Sequence, residues 1–428
     1  MKRVTCFPEK SLGALHPQHG MCNWLNLTPC ADGSSAHARY LVVKDLLEQI
    51  DPPMTRIKYF YSRGYGKNID VPFIFMDWDK DAHDPRNYYF SLTDATMKEL
   101  TAIGKPFIYH LGPMRENWSA LFTRKPKDYE QYATVCLNIV RHINKGWAKG
   151  MRCGVKYWEI WNRADDPHCW AGGSHEDYYR LYEAVARKIK EAYPRLKVGG
   201  PASANVSDPA FLQGFLDYVT AKGVPCDFVS WHYYGTDAAE AGRLAKQVKT
   251  MVRKAGLKVP VFNTEWNALE LDEQGIIQCP DARNMTGAAF DAAFMMQMEA
   301  AKTDLSVYYD AMSAAPWGAM YDTCSYTVNK PLYSFVAFSK LYQLGSRMAV
   351  KTLGKDVYAM AAKNEDKFAL LVSVCQDKRD ALELNLPAGK KRIRLLDEKH
   401  DLEVIAETEE NQITLPLQGQ SVLLVESV

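Results

Sequence analysis

The sequence predicts an α/β protein: a (β/α)8 TIM barrel with a C-terminal β-sandwich domain. Up to about residue 344, short apolar runs alternate with segments of helical periodicity, which is the pattern of a parallel barrel. Past Gly345 the pattern changes to short apolar runs separated by polar turns, as in an all-β domain. A chain of 428 residues is long enough for a barrel of about 250 residues and a smaller second domain.

The eight barrel strands are predicted where β-branched and aromatic residues form short runs. These runs are Met21–Leu27, Thr55–Tyr61, Pro106–Leu111, Val155–Trp161, Lys197–Gly200, Phe228–Tyr234, Val259–Thr264 and Leu305–Tyr309. Apolar residues at three- and four-residue spacing predict a helix after each strand. The helices are Ala38–Ile50, Thr93–Ile103, Asp128–Trp147, a segment from Ser174 to Pro194, Asp208–Lys222, Ala238–Ala255, Asn284–Lys302 and Pro331–Leu344.

These elements divide the chain into a barrel at residues 13–344 and a β-sandwich at residues 345–428, which a strand from residues 1–12 could join. The sandwich strands are predicted at Val357–Ala361, Phe368–Val374, Ala381–Leu386, Arg392–Leu396, Gln412–Leu415 and Ser421–Val425. The most clearly marked helix begins at Ser174 and Asp177, which form a capping-box pattern, and ends before Pro194.

Composition and charge narrow the class of partner. The 52 basic and 51 acidic residues nearly cancel, so no strong field attracts nucleic acid or an anionic membrane surface. No apolar run approaches the roughly 18 residues that a membrane span needs. Ten cysteines form no Cys-x-x-Cys pair and residues 1–10 form no apolar leader, so we expect reduced thiols and a cytoplasmic location. The sequence leaves open whether the chain forms a homo-oligomer.

Chemically useful side chains stand at the predicted carboxyl ends of several strands, where barrels of this type place their active sites. The fourth strand turns abruptly polar at Asn162 and Arg163, and the seventh leads directly into Glu265. His232 and Tyr234 share one face of the sixth strand by the period of two. His110, at the end of the third strand, is a further candidate, although a purely structural role in the core is as good an interpretation for it.

Several segments, by their order and spacing along the chain, resemble glycoside hydrolase family 39 of clan A, which contains β-xylosidases and α-L-iduronidases. The matching segments are Glu159-Ile-Trp-Asn162, Ala171-Gly-Gly-Ser-His-Glu-Asp-Tyr-Tyr179, Lys197-Val-Gly-Gly-Pro201, Asp227-Phe-Val-Ser-Trp-His232 and Thr264-Glu-Trp-Asn267. The resemblance implies a retaining glycosidase acting on a carbohydrate substrate, a pentoside or a uronide. It implies Glu265 as nucleophile, Asn162 bound to the sugar 2-hydroxyl, and His232 with Tyr234 holding the nucleophile and the sugar. Trp266 and Trp317 are candidates for walls that stack on the sugar.

No cofactor is expected, and no metal either, because the ten histidines form no His-x-x-x-His pattern or compact His/Cys group.

Arg163 departs from the family pattern, because relatives carry the catalytic acid/base Glu after the Asn that Asn162 matches. A guanidinium has a pKa above roughly 12 and releases no proton at neutral pH. Arg163 could instead bind an anionic group of the substrate. Asp165 or Asp166 could supply the proton if the loop bends back.

Two hypotheses therefore remain open from the sequence. The first is a retaining O-glycoside hydrolase in which the acid/base is absent or relocated. The alternative is a catalytically inactive carbohydrate-binding pseudoenzyme of the same fold. Hydrolysis of aryl glycosides, measured alongside sugar binding, discriminates between them.

Overall fold

The computed structural model of the chain describes residues 2–24, 44–57, 69–113, 123–271, 277–278, 281–311, 318, 320–322 and 327–428. Of the predicted elements, the end of the first strand, the start of the first helix and the end of the second strand lie outside these residues, as does Trp317.

Eight parallel strands close into a barrel, which confirms the predicted fold class. In chain order they are Gly20–Cys22, Thr55–Ile57, Phe107–Leu111, Tyr157–Ile160, Lys197–Ser203, Phe228–Tyr234, Val261–Asn267 and Leu305–Tyr308. We refer to them as barrel strands 1 to 8. Strand 8 pairs with both strand 7 and strand 1, so the barrel has no open edge.

Helices follow the strands around the outside of the barrel. Residues 44–50 are helical. The α-helices that follow are Val71–Ile74, Ser91–Ile103, Tyr129–Lys145, His175–Ala192, Ala210–Ala221, Ala238–Lys254, Met285–Ala300 and Lys330–Tyr342. Short 3-10 turns lie at Pro85–Asn87 and Trp147–Lys149. The predicted capping box is present, because Ser174 Oγ accepts from the Asp177 amide while the Asp177 carboxylate accepts from the Ser174 amide. The short helix Val71–Ile74 was not predicted.

Nine strands form the second sheet, and the first of them in sequence is Lys2–Ala14. Across the sheet the order is Asp401–Thr408, Lys391–Leu396, Ser421–Ser427, Phe368–Val374, Val357–Lys363, Ser346–Leu353, Lys2–Ala14, Asp380–Asn385 and Gln412–Leu417. Leu382 and Leu384 near one end of this order share a buried cluster with Ile393 near the other, so the sheet folds over on itself as a sandwich. The strands Ser346–Leu353 and Asp401–Thr408 were missed in the sequence. A two-stranded ribbon, Glu270–Leu271 with Ile277–Gln278, lies apart from both sheets.

The central strands of the sandwich are buried on both faces. Leu370 and Leu423 face the sandwich interior, whereas their neighbours Leu371 and Leu424 belong to the large cluster formed with the barrel and its helices. Ser373 Oγ donates to the Ala289 carbonyl, 2.7 Å away in the helix Met285–Ala300, and so ties the sheet to the barrel. Burial on both faces explains why these strands read as continuous apolar runs rather than as alternating ones.

The barrel interior is divided between an apolar and a polar part. Side chains from several strands form a buried apolar cluster that comprises Cys22, Ile108, Phe228, Phe262, Leu305, Val307 and Tyr309. Charged and hydrogen-bonding side chains, described in the next section, stand further along the same strands. None of the described helices has the length and apolar character to cross a membrane.

Asp291 is a buried carboxyl group in the helix Met285–Ala300, whose other buried residues are mostly Ala, Met and Phe. It is 1% exposed, and neither carboxylate oxygen has a hydrogen-bond partner among the described residues. Burial raises the pKa of Asp291 well above its usual value. The folded protein therefore keeps a proton on Asp291 at a pH where the unfolded chain has lost it.

This asymmetry predicts that Asp291→Asn becomes more stable than the unmodified protein as the pH rises. Below about pH 3.8, Asp291 is protonated in both the folded and the unfolded protein. Above that pH it ionises only in the unfolded chain. The free energy of unfolding of the unmodified protein therefore falls by up to about 1.4 kcal/mol per pH unit until the pH reaches the pKa of the folded state. Urea unfolding of both proteins between pH 4 and 8 measures the difference. Asp366→Asn, at an exposed site, is the control and should show no such trend. An equal pH trend for Asp291→Asn and its parent would contradict the assignment.

Candidate active site

Arg56, from barrel strand 2, is the centre of a buried polar network toward the carboxyl ends of the barrel strands. Its Nε donates to Glu159 Oε2 at 2.6 Å, its Nη1 to Glu265 Oε1 at 2.5 Å and its Nη2 to Asn162 Oδ1 at 3.0 Å. Arg56 and Glu159 are fully buried, and Glu265 is 1% exposed. Burial disfavours the charged guanidinium, but the carboxylates of Glu159 and Glu265 outweigh that effect and raise the pKa of Arg56 above its usual value. One cation thus holds two carboxylates from different strands in fixed positions.

Glu265 reaches this network because barrel strand 7 carries a β-bulge. Trp231 of strand 6 pairs with Asn263, and the next residue, His232, pairs with Glu265, so Thr264 is an extra residue. As a result two adjacent side chains contact the same network. Thr264 Oγ1 donates to Glu159 Oε1 at 3.0 Å, and Glu265 accepts from Arg56.

Barrel strand 6 supplies two further contacts to Glu265. Tyr234 Oη donates to Glu265 Oε2 at 2.7 Å, and His232 Nδ1 lies 3.3 Å from the same oxygen. Burial, followed by the nearby Glu265 charge, raises the pKa of Tyr234 well above its usual value, so the phenol keeps its proton and acts as a donor. Both oxygens of Glu265 are therefore oriented by neighbouring side chains.

The turn after barrel strand 4 has an unusual backbone. Trp161 has a φ of 63° and Arg163 a φ of 54°, in the left-handed region that side chains other than glycine seldom adopt. The Trp161 indole donates to the Cys169 carbonyl at 2.9 Å and packs edge-on against Trp170. The Arg163 amide donates to the Ala202 carbonyl of strand 5 at 3.1 Å. These contacts hold the turn so that Asn162 points at Arg56.

Arg163 lies over the ring of Tyr234. Its guanidinium carbon is 5.7 Å from the centroid of the Tyr234 ring, and its Nη2 lies 3.2 Å from Asp166 Oδ2. The side chain is 22% exposed, whereas Glu265 is almost fully enclosed. Burial disfavours the charge of Arg163, but neighbouring groups, among them Glu265 and Asp166, keep its pKa above the usual value. Arg163 is therefore a fixed cation at the edge of the network.

The two candidate replacements for the acid have other partners. Asp165 accepts hydrogen bonds from Ser203 Oγ at 2.8 Å and from the amides of Ala204 and Asn205, both at 2.9 Å. It therefore holds the loop after strand 5 to the turn after strand 4. Asp166 forms the ion pair with Arg163 and accepts from the His168 amide at 2.9 Å.

The remaining predicted site residues have different outcomes. His110 is fully buried in strand 3, directly opposite Glu159 in the strand pairing. The prediction that Trp266 forms a wall of the pocket is wrong. Its ring stacks on Phe294 with centroids 3.9 Å apart and also contacts Phe335, both in outer helices. Trp266 follows the bulge residues and points out of the barrel. Trp317 lies outside the described residues.

The sequence analysis missed Arg56 as a site residue, although it noted the strand that contains it. The available signal was an arginine near the start of a strand rich in apolar and aromatic residues, because a buried cation in a barrel strand needs anionic partners. It also missed a polar pair beside the network. Asn23 Nδ2 donates to Asp310 Oδ2 at 2.9 Å, and both residues are fully buried after strands 1 and 8. Within the described ranges no group of three or more His, Cys, Asp or Glu side chains could hold a metal ion.

These observations define a (β/α)8 barrel with a preorganised carboxylate site at the carboxyl ends of its strands, the end at which such barrels carry their catalytic residues. The profile of the family described as "Glycosyl hydrolases family 39" matches residues 80–425. The chain belongs to this family, and the resemblance inferred from the sequence motifs is confirmed.

Two curated relatives are called "Beta-xylosidase". The protein of Caldicellulosiruptor saccharolyticus is 29% identical over 259 residues, which cover 54% of this chain and 51% of the relative. The protein of Geobacillus stearothermophilus is 29% identical over 208 residues, covering 46% of this chain and 40% of the relative. The matched part thus spans about half the length of these relatives or less.

Solved structures share the whole fold. A glucosidase from Croceicoccus marinus has a TM-score of 0.75 at 22% identity and covers 100% of this chain and 98% of its own. A GH39 β-xylosidase from Caulobacter crescentus has a TM-score of 0.71 at 15% identity, with 99% of each chain covered. At these identities the likeness concerns the fold.

The network predicts that Arg56→Met strongly destabilises the protein. The substitution leaves Glu159 and Glu265 buried without their shared cation, and breaking a buried ion pair in this way costs about 3–5 kcal/mol. Urea unfolding at pH 7 measures the loss. Arg180→Met is the matched control, because it breaks the exposed pair with Glu176 and should leave the midpoint almost unchanged. Similar effects of the two substitutions would show that the network does not stabilise the fold.

Proposed function

We propose that this protein is a retaining O-glycoside hydrolase in which Glu265 is the nucleophile. The observation that carries the proposal is the position of Glu265 in a chain of this family: it ends a barrel strand, is enclosed, and is oriented on both oxygens by Arg56 and Tyr234. A retaining mechanism requires a carboxylate that attacks the anomeric carbon and forms a covalent glycosyl-enzyme. The ion pair with Arg56 holds this carboxylate in a fixed position for the attack.

The other residues of the site have roles that follow from their contacts. Asn162 accepts from Arg56 through its carbonyl oxygen, which leaves its amide group to face a sugar hydroxyl. His232 and Tyr234 flank the Glu265 oxygen that attacks and limit its rotation. His110 and Glu159 support the barrel interior beneath the sugar.

The substrate is a carbohydrate, and we propose a pentoside or a uronide. The names of the two curated relatives favour a β-xyloside as the first compound to test. The free cysteines of the described residues fit a reducing compartment, so we propose a cytoplasmic location. We propose that the reaction needs no cofactor, because the attacking group is a carboxylate of the chain and the second reactant is water.

The proton donor is the unusual part of the proposal. A retaining glycosidase ordinarily holds a second carboxyl about 5–5.5 Å from the nucleophile, which protonates the leaving oxygen. Arg163 takes that position in the sequence and cannot release a proton. Asp165 is fully engaged in binding the neighbouring loop, and Asp166 is paired with Arg163. We propose that the acid/base is absent and that substrates with poorly basic leaving groups are preferred.

A second candidate function is a carbohydrate-binding pseudoenzyme. The ion pair between Arg163 and Asp166 favours it, because this pair occupies the region where the acid would stand. A pseudoenzyme of this kind would bind a sugar in the pocket without hydrolysing it.

Activated aryl glycosides distinguish the two functions. A nitrophenolate departs without protonation, so Glu265 should be glycosylated quickly, whereas water attacks the intermediate slowly without a general base. We expect a burst of 2,4-dinitrophenolate from 2,4-dinitrophenyl β-D-xyloside, a glycosyl adduct on Glu265 by mass spectrometry, and faster turnover with azide. Glu265→Ala should form no adduct. Sugar binding by calorimetry with no burst from any aryl glycoside would establish the pseudoenzyme instead.

Restoring a carboxyl group at position 163 should restore activity on unactivated substrates. General acid catalysis contributes about 10² to 10⁴-fold, so Arg163→Glu should raise kcat/KM for an alkyl or oligosaccharide xyloside by that order. Arg163→Gln is the control, since it removes the cation without adding an acid. A strong activity of the unmodified protein that Arg163→Glu abolishes would mean that Arg163 binds substrate and the proton comes from elsewhere.

A further inference from the structure

Arg163 has more hydrogen-bonding capacity than its neighbours use. A guanidinium carries five N–H donors in a planar fork. Its ion pair is with Asp166, on one edge, and its face lies toward the Tyr234 ring. The Nε group is buried, and no residue in the described ranges accepts its hydrogen. The side chain as a whole is 22% exposed and lies at the edge of the network.

The Arg163 guanidinium lies over the ring of Tyr234, whose hydroxyl donates to Glu265 Oε2. In the proposed function, position 163 faces the oxygen that leaves the sugar. A donor at this place that cannot give up its proton can still stabilise negative charge on the departing group.

We propose that Arg163 makes the leaving-group subsite a site for phosphate, so that the preferred glycosyl donors are glycosyl phosphates. The proposal rests on the proposed function and names its substrate class. A guanidinium binds phosphate oxygens in a bidentate manner. An anionic group elsewhere on the aglycone would also bind Arg163, but it would leave the departing oxygen as basic as an alkoxide. Phosphate satisfies both requirements, because the departing oxygen itself belongs to a weakly basic anion.

The reaction balances without an acid. A Glu265 oxygen attacks the anomeric carbon and forms an ester bond, while the bond from that carbon to the phosphate oxygen breaks. The bonding electron pair leaves with the oxygen, so inorganic phosphate departs and no proton moves. In the reverse direction, a phosphate oxygen attacks the glycosyl-enzyme, and the electron pair of the ester bond returns to Glu265. Phosphate is therefore also an acceptor that needs no general base.

The acceptor reaction provides the test. The full chain is given 2,4-dinitrophenyl β-D-xyloside with increasing inorganic phosphate, and sodium chloride keeps the ionic strength constant. We expect steady-state release of dinitrophenolate to rise with phosphate and saturate, and ³¹P NMR to show a glycosyl phosphate of retained configuration. A parallel series uses azide, a small anion that requires no bidentate partner.

Variants at position 163 separate recognition from folding. In Arg163→Gln the acceleration by phosphate should fall about 10- to 100-fold, the size expected for losing a charge-assisted hydrogen-bonding pair, while acceleration by azide persists. Arg163→Lys keeps the charge but not the planar fork. Its acceleration by phosphate should therefore lie between that of the unmodified protein and that of Arg163→Gln. Persisting azide reactions show that the variants are folded.

Two results overturn the inference. If azide accelerates turnover of the unmodified protein and phosphate acts no differently from chloride, Glu265 remains the nucleophile and the phosphate subsite is wrong. If phosphate accelerates turnover equally in the Arg163→Gln variant, the anion is not recognised by Arg163. A protein that forms no adduct from any aryl glycoside fails the proposed function itself.

Discussion

The buried contact of Arg56 with two carboxylates is the interaction on which the site depends. Removing three charges from water is costly, and only close pairing with satisfied hydrogen bonds compensates for it. Here the guanidinium donates to Glu159 through Nε and to Glu265 through Nη1. Its Nη2 donates to the side-chain oxygen of Asn162. The side chains come from strands 2, 4 and 7 and from the turn after strand 4. In the proposed function, a substrate meets a carboxylate that is already oriented, and little ordering is left for the moment of binding.

The turn after strand 4 holds its shape with an arginine at position 163. Two residues with left-handed backbone, Trp161 and Arg163, bring Asn162 to Arg56 and send the next side chain toward Tyr234. Asp165 fastens this turn to the loop after strand 5. Because these anchors involve the backbone and Asp165, the identity of residue 163 can vary without loss of the turn. Arg163 then takes its own counter-ion from Asp166, three residues away.

Local patterns were sufficient for the architecture but not for the details of the site. The alternation of strands and helices, the capping box at Ser174 and the period of two at His232 and Tyr234 depend on residues close in sequence, and the sequence displays them. The bulge at Thr264 depends on pairing with strand 6, and no local pattern marks it. That one extra residue explains the error at Trp266, whose side chain leaves the barrel. Arg56 was missed for a related reason, since its partners are 103 and 209 residues away.

The strand Lys2–Ala14 has a consequence for the order in which the chain can fold. Arg3 pairs with Leu353 on one side and with Glu383 on the other, so this strand is synthesised long before the residues with which it pairs. Contacts so distant in sequence form slowly, because a long loop must close before they contribute. During synthesis at about 5–20 residues per second, the barrel segments emerge for some tens of seconds while this strand has no partner in the sheet. Its exposed edge would be a point of vulnerability to misassembly in that interval, and charged residues such as Arg3, Glu9 and Lys10 along it oppose pairing with other chains.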